Sequence, residues 1–264
     1  MCLIAFAHDV GEFAWILAGN RDERYARAAA PIDWWPSASG GAASVFGGRD
    51  LEAGGGWLLL STMGRLAAVT NVRRPPLVSG RRSRGSLTAR FVEGEGDVSS
   101  YAEAARGERE SYGGFNLLLF ERGRACYVGS EPSAAPRPIA SGVHALSNAT
   151  LDTPWPKVER ARAAMTEALA GPPTELATRL VAMLGDRTIA ADEALPSTGI
   201  PLEIERMLSP IFIASSDYGT RCSTVVVVRR DGAVEIEERR FSANGVPSGT
   251  TRATLTLSMR GSRG

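Results

Sequence analysis

The sequence predicts an α+β fold, either two sheets packed face to face or one sheet beneath helices. Three observations carry that reading. Apolar runs recur in pairs around short turns, helical segments are grouped between the pairs, and no G-x-G-x-x-G follows a strand. Gly54, Gly55 and Gly56 precede a strand, the reverse of the order a dinucleotide site requires.

The elements follow in order. Residues 2–8 (CLIAFAH) and 13–19 (FAWILAG) are apolar runs separated by Asp9, Val10, Gly11 and Glu12, which reads as a β-hairpin. A strand beginning at the second residue is expected to hold the amino terminus inside the fold. The polar segment NRDERY (20–25) follows directly, and residues 28–50, rich in Ala, Pro, Ser and Gly around Trp34 and Trp35, read as a surface loop. GGGWLLLSTMGRLAAVTNVR (54–73) repeats the paired-run pattern, and RPPLVSGRRSRGS (74–86) is a basic loop. Ser86 is placed to N-cap a short helix, LTARFVEG, and a second short helix is expected near 99–106. GGFNLLLFERGRACYVGS (113–130) is a third hairpin, turning at Arg122 and Gly123. From about Pro156, Val158, Ala161, Met165 and Leu169 share one helical face, and 174–184 gives a second helix beside it. Residues 211–213, 222–229 and 233–238 are expected strands, the last two joined at Arg230, Asp231 and Gly232. A single domain therefore spans 1–241, and 242–264 reads as a polar tail, partly flexible, with a mobile GSRG end.

Composition narrows the function. At 264 residues and 44% hydrophobic the chain buries a sizeable core and is not disordered. A formal net charge of +1 gives no strong field toward nucleic acid or anionic lipid. Lys157 is the only lysine, so the basic residues are otherwise arginine. No apolar run reaches the roughly 18 residues of a membrane span. The start, MCLIAFAHDVGEF, lacks a basic leader and a cleavage site, so a cytoplasmic protein without membrane insertion is expected. Cys2, Cys126 and Cys222 fit neither a disulfide framework nor a zinc site, and His8 and His144 are too few for a histidine-built metal centre.

The chemistry centres on Cys2. Removal of Met1 would leave one residue with both a thiol, of reference pKa about 8.5, and an α-amine of about 8. The amine can take the thiol proton and return it to a leaving nitrogen, with no histidine involved. Position alone favours a small buried hydrophobe. The segment Asn20-Arg21-Asp22-Glu23 shifts that balance. A hairpin turning at 9–12 sets residue 2 opposite residues 19–21, so Asp22 reaches the α-ammonium, and Arg21 or Arg24 lowers the thiol pKa. Asn71, Asn116 and Asn148 are side-chain amides able to donate to an oxyanion, although each alone reads as a turn or cap residue. Asn116 interrupts an apolar strand and needs partners if buried. Arg221, before Cys222, is placed as a carboxylate anchor at a cleft mouth. His8 alternates with Cys2, Ile4 and Phe6 as a packing residue, and His144 receives no role. Trp34, Trp35 and Trp155 either line a pocket or pack down on their own domain.

Met-Cys at the start, NRDE after the second strand, GGWLLLSTMGRLAAVTNVR in the middle and YGTRCSTVVVV near the end together resemble the NRDE-motif family, also called the transport and Golgi organisation protein 2 family, from Cys2 to about Phe241. More distantly the chain is similar to N-terminal-nucleophile amidohydrolases of the choloylglycine hydrolase and penicillin V acylase type. That resemblance implies a four-layer αββα sandwich. It implies catalytic roles for Cys2 as nucleophile, Asp22 as holder of the amine, Asn71 and Asn148 at the oxyanion and substrate, and Arg221. Asn20, Arg21 and Asn116 are added as substrate-binding candidates. The pattern departs at Arg21, since the hydrolases place their early arginine three residues before the aspartate. Arg21 adjoins Asp22 and points to the opposite strand face, whereas Asn20 shares the face of Asp22.

Two functions follow. One is cleavage of a non-peptide carbon–nitrogen bond in a small-molecule amide, without a cofactor. The alternative is a binder or carrier of a hydrophobic ligand such as haem or a lipid, for which Cys2, His8 and His144 are the available axial donors. Eukaryotic members of the family are linked to secretory-pathway organisation, lipid metabolism and haem trafficking, yet the sequence offers no anchor, coiled coil or basic amphipathic helix for an organiser role.

Overall fold

A computed structural model describes residues 2–35, 44–75 and 80–258. Parts of the two expected loops (36–43 and 76–79) and the GSRG end lie outside them. In chain order the elements are β1 (Cys2–Val10), β2 (Phe13–Arg24), β3 (Ala29–Trp34), β4 (Val45–Asp50), β5 (Leu58–Ser61) and β6 (Arg65–Asn71). Then come α1 (Gly85–Glu93), α2 (Val98–Gly107), β7 (Phe115–Glu121), β8 (Arg124–Gly129), β9 (Arg137–Pro138) and β10 (Gly142–Leu146). The chain continues through α3 (Pro156–Ala170), α4 (Leu176–Leu184), α5 (Leu202–Met207), β11 (Tyr218–Arg229), β12 (Ala233–Ser242) and β13 (Val246–Thr256).

Two antiparallel sheets result, one ordered β10-β1-β2-β11-β12-β13 and the other β3-β4-β5-β6-β7-β8-β9. Strand alternation sorts side chains into three cores. Ile4, Phe6 and Leu17 face Leu60, Leu118 and Phe120 between the sheets. Leu3, Ala5 and Ile16 point outward against Met165 of α3 and Leu180 of α4. Ala67, Leu117 and Leu119 meet Leu87 and Phe91 of α1 and Ala102 of α2. The layers are therefore helix, sheet, sheet, helix, as the family resemblance implied. Inner strands covered on both faces explain why FNLLLFE reads as a continuous apolar run.

The local expectations fare unevenly. The first and third hairpins form as read, the latter turning at Arg122 and Gly123, both at positive φ (45° and 84°). Residues 28–50 are not a simple loop: β3 and β4 pair there and extend the second sheet. Helix α1 begins at Gly85, with Arg84 at the N-cap and no side-chain cap, so Ser86 does not cap it. Asp97 caps α2, its carboxylate accepting from the amides of Ser99 and Ser100. Residues 211–213 are buried irregular chain rather than a strand. The polar tail expected from Ser242 is β13, paired with β12 along its length, because one face of an edge strand stays in water and keeps a polar sequence.

Candidate active site

Register places the site. Cys2 pairs with Arg21 across β1 and β2, while β11 sets Cys222 against Arg21 and Thr220 against Asp22. Directly opposed residues share a face, so Cys2, Arg21 and Cys222 form a row on the inter-sheet side. Asn20 and Asp22 point to the helix side. Arg221 is the extra residue of a bulge in β11, between Thr220 and Cys222.

The row floors a cleft of about 590 Å³ lined also by Asp22, Trp57, Asn71, Arg84 and Arg221. Gly19 admits the Trp57 ring, since a Cβ there would stand 3.1 Å from it and 3.0 Å from the Leu3 carbonyl. Arg21 donates to Asp50 (3.0 Å), which also accepts from Arg27 (2.6 Å). Burial raises the Asp50 carboxyl pKa, but the Arg27 contact and neighbouring donors prevail and hold it low.

Cys2 is 7% exposed, and burial raises its thiol pKa against the opposing charges of the amino terminus and Arg21. Asp22 is buried and likewise raised by burial, with Thr220 Oγ1 donating to its Oδ1 at 2.7 Å. Behind it lies a polar layer on the helix side. Lys157, buried in the first turn of α3, donates to the Leu208 carbonyl (2.9 Å), and burial pulls its ammonium down to about 8. Arg73 pairs with Glu205 at 2.5 Å.

The predicted residues divide into three groups. Cys2, Arg21, Asp22, Asn71 and Arg221 line the cleft. Asn148 is fully buried behind Asn71, and its Nδ2 donates to the Asn71 carbonyl (2.8 Å) and Oδ1 (3.3 Å). That bond engages the side-chain oxygen of Asn71, which itself lines the cleft. Asn148 thus holds the Asn71 side chain from behind. Asn20 and Asn116 do not line the cleft. Asn20 donates to the carbonyls of Leu184 and Ile211 and accepts from Ser223. Asn116 donates to Thr70 and the Ala149 carbonyl and accepts from Tyr127. Both are structural clamps with no amide group left for a ligand. Arg221 donates through one guanidinium nitrogen to the carbonyls of Arg24 (2.9 Å) and Arg27 (2.7 Å), which braces the turn after β2.

His8 and His144 lie away from the cleft with both ring nitrogens bonded, His8 to the carbonyls of Ala140 and Gly123, His144 to Asp152 and the Ala140 carbonyl. Of the three expected axial donors, Cys2 alone lines this cleft. Trp35 is buried and donates to the Gly47 carbonyl, and Trp155 stacks under Arg73. The sequence reading missed Thr220, Asp50, Trp57 and Arg84. Only the polar break at Thr220 before an apolar run hinted at any of them.

The helix–sheet–sheet–helix sandwich is the fold class of the N-terminal-nucleophile hydrolases. The crystal structure of the mutant C2A conjugated bile acid hydrolase from Clostridium perfringens covers 100% of this chain and 100% of its own, with TM-score 0.50 and 9% identity, a likeness of fold alone. The sequence model of the family described as Transport and Golgi organisation 2 matches residues 1–243, and the chain belongs to that family. It is 38% identical over 264 residues to the Transport and Golgi organization protein 2 homolog of Bos taurus, spanning 90% of this chain and 92% of that one. Identity to the homolog of Homo sapiens is 33% over 272 residues, spanning 96% and 97%. Among the described residues, no helix is long and apolar enough to cross a membrane.

Proposed function

We propose that this chain is an N-terminal cysteine amidohydrolase acting on a non-peptide carbon–nitrogen bond. One observation carries the reading: Cys2 lies on the cleft floor directly across from Arg21, next to an Asp22 whose carboxylate is fixed by Thr220. With Met1 removed, the Cys2 amine takes the thiol proton and sulfur attacks the amide carbonyl. Asn71 donates to the resulting oxyanion. The carbon–nitrogen bond breaks as the ammonium returns its proton to the leaving nitrogen, which departs as an amine. Water then attacks the thioester, giving the acid and restoring the thiol. Asp22 orients the ammonium throughout. The polar groups and arginines around the thiol suit this chemistry better than a bed for haem or lipid.

The test is a panel of N-acyl compounds assayed with the wild type and with Cys2→Ala and Cys2→Ser. Hydrolysis is expected in the wild type and lost in both variants. Hydrolysis surviving either substitution unchanged removes the mechanism.

A further inference from the structure

The whole chain nets +1, yet eight arginines face four carboxylates around the cleft. Most of those guanidiniums are already engaged. Arg21 and Arg27 share Asp50, Arg240 meets Glu238, Arg82 meets Glu108, and Arg221 holds backbone carbonyls. Arg84 differs. It is half-buried in the cleft, close enough to feel the charges of Cys2 and Glu23, and no side-chain hydrogen bond or ion pair holds it among the described residues. Glu23 instead accepts from the Arg24 amide.

Arg84 is held there by backbone. It caps α1, whose first residue, Gly85, packs against Gly55 so closely that a Cβ on Gly55 would stand 2.4 Å from the Gly85 carbonyl carbon. Thr88 Oγ1 ties the same turn to the Gly56 carbonyl at 2.7 Å. A half-buried guanidinium without a carboxylate partner gives up part of its hydration, and an anionic ligand offsets that loss. We propose that the cleft selects substrates bearing an anionic group, a carboxylate or a phosphate, near the bond Cys2 attacks, and that Arg84 receives it. The proposal rests on Cys2 as the reacting group, and the experiment separates the two.

Alkylation of Cys2 by iodoacetate, an anion, is compared with alkylation by neutral iodoacetamide, read by peptide mass at Cys2. The ratio of the two rates cancels the thiolate fraction. The expected wild-type ratio exceeds that of free cysteine roughly tenfold, the scale of one charge-assisted contact. Arg84→Gln returns it to the free-cysteine value, and Arg84→Lys retains most of it. Protection of Cys2 from iodoacetamide by acetate assigns a carboxylate, and protection by inorganic phosphate assigns a phosphate. A wild-type ratio equal to that of free cysteine, a ratio unchanged in Arg84→Gln, or protection by neither anion overturns the proposal. No labelling of Cys2 by either reagent instead overturns the nucleophile reading on which it stands.

Discussion

Asp22 illustrates what the site costs the fold. Its carboxyl is pushed up by burial, against the pull of nearby cations and Thr220. A carboxyl whose folded pKa lies above its unfolded value supports the fold below the unfolded pKa, near pH 4, and loses that support as pH rises through the folded value. Ionisation of Asp22 as the pH rises therefore weakens the fold. Asp22→Asn is expected to raise the Tm at pH 7.5, leave it nearly unchanged at pH 4, and abolish the proposed hydrolysis. Thermal unfolding at the two pH values checks this, and a fall in Tm at pH 7.5 contradicts it. Cys2, Arg21 and Asp22 were legible because a hairpin is a local structure with a fixed register. Thr220 was not, since it reaches Asp22 only through pairing of strands almost two hundred residues apart. Asn20 and Asn116 misled for one reason. A buried amide in a strand signals a need for partners, and in both cases neighbouring protein groups meet it: mostly backbone carbonyls for Asn20, mostly side-chain hydroxyls for Asn116.

At the level of elements, turns and strand ends carry charges that set pH behaviour. His144 on β10 bonds Asp152 through Nδ1 (2.7 Å) and the Ala140 carbonyl through Nε2 (3.1 Å), so only the imidazolium donates to both. The Asp152 contact raises its pKa despite burial. Stability from this residue is full below the unfolded histidine pKa of about 6.5 and is lost as pH rises through the higher folded value. The Tm advantage of wild type over His144→Gln should shrink between pH 6 and pH 9, and an advantage that grows over that range contradicts the assignment. The glycine turn before β5 makes a second case. Gly55→Ala forces a Cβ into the Gly85 backbone and should cost about 1–3 kcal/mol in denaturant unfolding. A loss below a few tenths would show that the turn has room to move. In the sequence these glycines spoke only against a nucleotide site. Their use in docking α1 needs the neighbouring layer to be seen. Likewise β3 and β4 hide in an Ala-, Pro- and Gly-rich stretch, where strand propensity is low and pairing with β5 supplies the order.

For the whole molecule, two sheets share one core and close it with helices outside. Paired apolar runs pointed to sheets, but the face-to-face arrangement came from family resemblance, since periodicity alone does not say which faces meet. The outermost strand shows how far the domain extends. Truncation after Gly245 removes β13, its pairing with β12 and the buried Leu257, so the Tm should fall by several degrees. An unchanged Tm would restore the dispensable tail read from the sequence. The central claim concerns a thiol and an amine on one residue, and the intact mass of the protein isolated from its native host tests it most directly. The account predicts a chain lighter by one methionine that gains a single acyl group from a reactive ester, an adduct absent in Cys2→Ala. A mass that retains Met1, or an adduct that persists without the Cys2 sulfur, contradicts it.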